Sequence, residues 1–191
     1  MREKEFIRCE LLVVRWQKGE REGAAKELVE LFERAVLYYV RRLVRSEDDA
    51  WDAVQETFVS VLKSLAGIRD GRALPAFVYR TARNAALAQH RRRRDEPLVE
   101  DVAEVGDAVA ELEIAGEEAA LVHRCLELLP LAQREALTLF FLEDLSIAQI
   151  AEVTGVPEGT VKSRLFHAKR ALRGHLRGEY LSRERKGGGH E

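Results

Sequence analysis

Hydrophobic positions recur at intervals of three and four along most of this chain, the spacing of one face of an α-helix, and no sustained period-two alternation argues for strands. Phe6, Cys9, Leu12, Val13 and Trp16 predict a first helix over residues 5–18, ended by Gly19. A longer helix is predicted over 22–45, with Leu28, Leu31, Phe32, Ala35, Tyr39, Val40 and Leu43 facing inward. Ser46 then supplies a cap, and Glu47, Asp48 and Asp49 place acids where the helix dipole favours them. The helix they open runs to Leu65 and turns Ala50, Val54, Phe58, Val61 and Leu65 toward a core. After a loop holding Gly67 and Gly71, Pro75 opens a helix that reaches Arg94. Leu121, Val122, Cys125, Leu126 and Leu129 predict another, and residues 130–142 the next. The expected fold is all-α.

The most informative local pattern spans Leu145 to Arg170. Ser146 is placed to cap a short helix, and Gln149 three residues on completes a capping box. Ile147, Ile150 and Ala151 give that helix an apolar face. Gly155 permits the left-handed backbone that ends it, and Pro157 suits the opening turn of the next. In this second helix Val161, Leu165, Ala168 and Leu172 form the inward stripe. Lys162, Ser163, Arg164, His167, Lys169 and Arg170 lie largely outside it. A helix-turn-helix with a basic second helix fits the DNA major groove, where Arg and Lys meet phosphates and guanine edges. An ordinary helical hairpin with a solvated basic face is the plainer reading, but caps, turn and charge agree on DNA binding.

Charge adds a second surface. The formal net charge of -2 conceals strong segregation. No acid occurs between Gly71 and Arg94, while Arg72, Arg80, Arg83 and the run Arg91, Arg92, Arg93, Arg94 supply positive charge. Phe77 and Tyr79 are interleaved aromatics, and Asn84 carries an amide able to read a base edge. Arginines track a phosphate backbone and exposed rings stack on unpaired bases, although a ring such as Phe77 also serves as core. Between 97 and 118 the sign inverts. Glu100, Asp101, Glu104, Asp107, Glu111, Glu113, Glu117 and Glu118 face no Lys or Arg within that span, which reads as a flexible acidic linker. The expected division is a helical domain over 1–97, the linker over 98–118, a helix-turn-helix domain over 119–178 and a flexible tail over 179–191. Asp49, Asp52, Gln55 and Glu56 project a polar face whose pattern by itself fits solvent as well as a partner.

Several classes are disfavoured. Cys9 and Cys125 sit apart in apolar-periodic segments, so buried thiols in a reducing cytosol are expected rather than a disulfide or zinc site. No apolar run is long enough to span a membrane and no signal-peptide core follows Met1, so a cytoplasmic protein without membrane insertion is expected. His123, His167 and His175 have no metal-ligand spacing, and Ser, His and Asp form no nucleophile motif. His123 reads as a helix-surface residue. There is no P-loop, and no cofactor, metal or catalysis is expected.

This order of parts resembles a bacterial extracytoplasmic-function sigma factor, a small transcription initiation factor. The segment from Asp49 to Phe58 is similar to the family helix that docks on core RNA polymerase. Ala76 to Ala85 followed by the arginine run resembles the −10 promoter-binding element, and Val156 to Leu172 the −35 recognition helix. The resemblance implies polymerase contacts from Asp49, Asp52, Gln55 and Glu56. It implies −10 contacts from Arg72, Phe77, Tyr79, Arg80, Arg83, Asn84, Arg91 and Arg92, with the loop 66–74 near a flipped base. For the −35 element it implies Thr160, Lys162, Ser163, Arg164, Phe166, His167, Lys169 and Arg170. Phe77 stands where many relatives carry Trp, and His167 where many carry Arg. The implied partners are core RNA polymerase, promoter DNA and an anti-sigma factor, with a monomer when free. On this reading a flexible tether leaves the two basic surfaces without fixed spacing until they dock on polymerase. The alternative, a stand-alone helix-turn-helix regulator, would dimerise on a two-fold site and leave the helix around Gln55 without a task.

Overall fold

A computed structural model describes residues 3–44, 46–94 and 116–187 of the 191-residue chain. Every regular element among the described residues is helical. The acidic segment expected at 98–118 lies outside them up to residue 115, as do residues 188–191 of the tail.

The N-terminal half consists of α1 (Glu3–Gln17), α2 (Arg21–Val40), α3 (Glu47–Ser64) and α4 (Leu74–Arg94). Gly19, with φ +93°, turns the chain between α1 and α2. Ser46 caps α3 as expected, its hydroxyl accepting the Asp49 N–H at 3.2 Å. The predicted inward faces are buried, including Cys9, Leu12, Leu28, Phe32, Ala50, Val54, Phe58, Val61 and Leu65.

The helix expected over 22–45 stops at Val40. Arg42 folds back, its guanidinium carbon 3.4 Å from the Tyr38 ring centroid and its Nη1 donating to the Tyr38 carbonyl at 2.6 Å. Arg41 pairs with Glu47 at the start of α3. These side-chain contacts occupy the turn 41–44 in place of a further helical turn.

The C-terminal half comprises α5 (Glu117–Glu127), α6 (Leu131–Leu137), α7 (Ile147–Thr154) and α8 (Glu158–Gly187), with a wide π-helical turn over Thr138–Leu142 continuing α6. The capping box of α7 is formed in both directions, Ser146 Oγ accepting from Gln149 N–H at 3.2 Å and Gln149 Oε1 from Ser146 N–H at 3.0 Å. Gly155 is left-handed, with φ +69°. α8 does not end near residue 178, where a flexible tail was expected, but continues to Gly187. Its apolar periodicity continues too: Leu172, Leu176, Tyr180 and Leu181 line a groove with Val122 and Phe141.

The halves are not independently placed. Tyr39 and Tyr79 from the first half belong to the same buried cluster as Leu126, Leu137, Leu139, Ile150 and Leu165 from the second. The freely variable spacing expected of the two basic surfaces is therefore replaced by direct packing. Helix periodicity reports which face is apolar but not which other helix covers it.

Candidate nucleic-acid interface

The basic face of α8 emerges from the burial of its opposite side. Val161, Leu165 and Ala168 are buried, which leaves Thr160, Lys162, Ser163, Phe166, His167, Lys169 and Arg170 exposed and Arg164 half-buried. Phe166 is 64% exposed and meets the His167 ring edge-on at 5.4 Å between centroids. Lys169 reaches back over the π-helical turn, its Nζ 5.3 Å and 4.9 Å from the ring centroids of Phe140 and Phe141. Lys162, Ser163 and Arg170 are exposed along the same helix, the form a major groove admits.

α4 divides its expected contact residues differently. Asn84 is exposed, and Phe77 is half-buried with the Arg80 guanidinium 5.6 Å from its centroid. Arg72 is exposed and donates to Glu10 of α1 at 3.1 Å. Arg91 and Arg92 lie in α4, but their side chains fall outside the described residues. Tyr79 is no exposed stacking ring in this arrangement: it is 2% exposed, meets Tyr39 edge-on at 5.5 Å and donates its hydroxyl to Glu143. Arg80 and Arg83 also face the C-terminal half. Arg80 donates to Glu152 at 3.0 Å, and Arg83 to Glu135 at 2.8 Å, where the Tyr39 hydroxyl donates to the same oxygen. A one-dimensional charge pattern shows α4 as an uncompensated basic helix, because its compensating acids are remote in sequence.

On α3, Asp52 and Gln55 are exposed and Glu56 is half-buried, whereas Asp49 is 7% exposed and lies on the inner side of the helix start. Sequence reasoning missed two neighbours. Trp51 and Val59 are 44% and 49% exposed and stand four residues either side of Gln55, so they share its face. The spacing 51, 55, 59 was the available signal. This face combines apolar area with acids, a composition suited to a protein partner.

The boundary between the halves holds further titratable groups. His123, read from sequence as a helix-surface residue, is half-buried: its Nδ1 lies 2.6 Å from the Tyr38 hydroxyl and 3.1 Å from Arg42 Nη2. Those donors require an unprotonated Nδ1. Burial and the Arg42 charge both lower the His123 pKa. Burial raises the Glu143 carboxyl to about 7, although the hydrogen bond from Tyr79 pulls it down. Cys9 and Cys125 are buried free thiols, as expected, and burial pushes Cys9 up to about 12. No group of metal-ligating side chains occurs among the described residues, and no described helix is long and apolar enough to cross a membrane.

Comparison with known proteins places these elements in a family context. Residues 28–96 match the model described as Sigma-70 region 2, and residues 119–172 the model described as Sigma-70, region 4. The RNA polymerase sigma-H factor of Pseudomonas aeruginosa is 34% identical over 174 residues, covering 84% of this chain and 90% of the relative. The ECF RNA polymerase sigma-E factor of Escherichia coli K12 is 35% identical over 181 residues, covering 88% and 94%. Among solved structures, the sigma factor RpoE of Bartonella quintana, in co-crystals with the anti-sigma factor NepR, superposes with TM-score 0.65 at 26% identity, covering 80% of this chain and 96% of that one. The structure of CnrH with the cytosolic domain of CnrY shares the fold, with TM-score 0.64 at 24% identity over 90% and 98% of the two chains.

Proposed function

This chain belongs to the extracytoplasmic-function sigma factors, and from that premise we propose how its surfaces divide the work of promoter-directed initiation. As a sigma factor it acts with core RNA polymerase to direct transcription from promoters. The α3 face of Asp52, Gln55 and Glu56, widened by Trp51 and Val59, docks on the polymerase. Asp49 contributes by shaping the start of that helix. Phe77, Asn84, Arg72, Arg80, Arg83, Arg91 and Arg92 serve the −10 element, and Tyr79 joins them only when its partner Glu143 is withdrawn. Thr160, Lys162, Ser163, Arg164, Phe166, His167, Lys169 and Arg170 serve the −35 element.

The observation that carries this reading is the basic outward face of α8, held rigidly by a buried stripe and a capped helix-turn-helix, in one chain with a mixed apolar and acidic face on α3. One surface suits DNA and the other suits protein. Region 2 also gives the first half a task that a stand-alone regulator leaves empty. Promoter opening costs a few kcal/mol for each unstacked base, roughly, and capture of a flipped base by the 66–74 loop and α4 offsets it. Each role is binding, so the protein is a non-catalytic subunit that needs no cofactor. The cytoplasm, where polymerase and promoter meet, is its working compartment, and the co-crystallised relative supports an anti-sigma factor as a further partner.

Run-off transcription with core polymerase on a pool of promoter fragments tests the proposal. Specific transcripts should appear only when the protein is added. They should disappear when Gln55→Ala is combined with Asp52→Ala, through loss of core binding. Transcripts unaffected by this pair would remove α3 from the polymerase interface, and no transcript at all would overturn the reading.

A further inference from the structure

We propose that the DNA surface of α8 continues past the region 4 match, with Arg173 and Arg177 gripping the phosphate backbone where the helix leaves the major groove. This rests on the assignment of α8 to the −35 element and adds contacts to backbone, not to base edges. The region 4 match ends at residue 172, yet α8 runs unbroken to Gly187.

Helical periodicity sets where the extension points. A face recurs after about eleven residues, close to three turns, roughly 16 Å further along the axis. Lys162, Ser163, Phe166 and His167 are followed at that interval by Arg173, Gly174, Arg177 and Gly178, and all of these positions are exposed. Packing holds another side of the extension. Leu172 and Leu176 are half-buried and line the apolar groove with Val122 and Phe141, which Arg173 and Arg177 also border. Arginine stems can border apolar surface while their charged heads stay in water.

Nothing described within the protein neutralises the two guanidiniums. Among the described residues neither forms an ion pair or a side-chain hydrogen bond. Their neighbours three and four positions away along α8 are Lys169, Arg170, Gly174, Leu176, Tyr180 and Leu181, and none is an acid. Lys169, Arg173 and Arg177 stand four apart, a spacing at which like charges destabilise a helix. An anionic strand laid along the row turns that repulsion into attraction. Gly174 and Gly178 fit the same occupant. Glycine weakens an exposed helix relative to alanine, and a Cβ at either position would meet nothing within 4 Å in this protein. The bare helix surface beside the arginines leaves room for a sugar–phosphate strand to lie close.

Phosphate suits this row better than an acidic protein face. The row is continuous with the α8 face assigned to DNA, and a helix leaving the major groove crosses the backbone, as the C-terminal end of a homeodomain's reading helix does. Arginine also meets phosphate oxygens in paired geometry.

The test uses the full chain bound to core polymerase, on duplex carrying the −35 element. Arg173→Gln/Arg177→Gln should weaken binding several-fold at low salt. It should also reduce the slope of log affinity against log salt by about 2, roughly one for each phosphate contact. The loss should be the same on an intact and a scrambled −35 element, because phosphates carry no sequence. Arg173→Lys/Arg177→Lys keeps the charge and should restore the slope. Lys26→Gln/Arg34→Gln removes equal charge from exposed positions of α2 and should match wild type. Circular dichroism checks helix content throughout. A wild-type slope in the Arg173→Gln/Arg177→Gln variant overturns the proposal. So does loss of core binding with the slope intact, which would assign the row to an acidic face of polymerase. If wild type itself does not distinguish an intact from a scrambled −35 element, the assignment of α8 fails and the proposal falls with it.

Discussion

Arg164 sits at the join of two environments, its Cα between the buried positions Val161 and Leu165 and its side chain half-exposed on the basic face of α8. A planar guanidinium fork on that face is suited to bidentate readout, which a point charge is not. Arg164→Ala should lower discrimination between a promoter and one with a scrambled −35 element by about 1–3 kcal/mol. Competition binding with the polymerase complex measures it, and core binding should not change. Glu143 supports a different prediction. Its carboxyl is raised from 4.5 to about 7 by burial. A folded-state pKa above the unfolded one stabilises fully below the unfolded value, and that contribution is lost as pH rises through about 7, at most about 3 kcal/mol. His123 works oppositely, because its pKa is lowered from 6.5 and its contribution is lost on acidification. Glu143→Gln should therefore remove a fall in the thermal midpoint between about pH 4.5 and 7. An unchanged profile over that window would place the carboxyl in solvent.

Among the elements, the loop between α3 and α4 depends on one close approach. A Cβ built on the buried Gly71 lies 2.4 Å from Glu10 Cα and 2.7 Å from Glu10 N, so only glycine lets this turn rest on the backbone of α1. Arg72 then reaches Glu10 and Asp70 accepts the Arg72 N–H at 2.9 Å, which fixes the loop ahead of α4. Gly71→Ala should cost about 1–3 kcal/mol in urea unfolding, because backbone and not a flexible side chain must move. If the loop holds the flipped base, promoter melting should suffer more than promoter binding, a split that permanganate footprinting resolves. The capping box of α7 and the left-handed Gly155 were legible beforehand because each is decided by residues within a few positions of one another. The end of α2 was not. Arg41 and Arg42 are good helix formers, and what stops the helix is their contacts with Glu47 and Tyr38.

At the scale of the whole molecule, the chain exposes the basic face of α8 proposed for the −35 element and engages Tyr79, Arg80 and Arg83 of α4, proposed for the −10 element, within the fold. With those three side chains engaged by acids of the C-terminal half, free protein should bind duplex carrying the −35 element without distinguishing an intact −10 element from a scrambled one. Addition of core polymerase should restore that distinction, and gel-shift competition with and without core checks both statements.

The amino-acid sequence by itself determined that the protein is helical, where most helices begin, which of their faces are apolar, and that α8 carries a basic face suited to DNA. Those properties follow from residues three or four positions apart, whose neighbourhood in space is set by the helix itself. Only the tertiary structure decided that Tyr79 is enclosed, that His123 leaves the surface, and that Arg80 and Arg83 meet Glu152 and Glu135. These pairs are 72 and 52 residues apart. A local charge pattern carries no record of partners at such separations, and which of several apolar faces packs on which is settled by mutual burial across the whole chain.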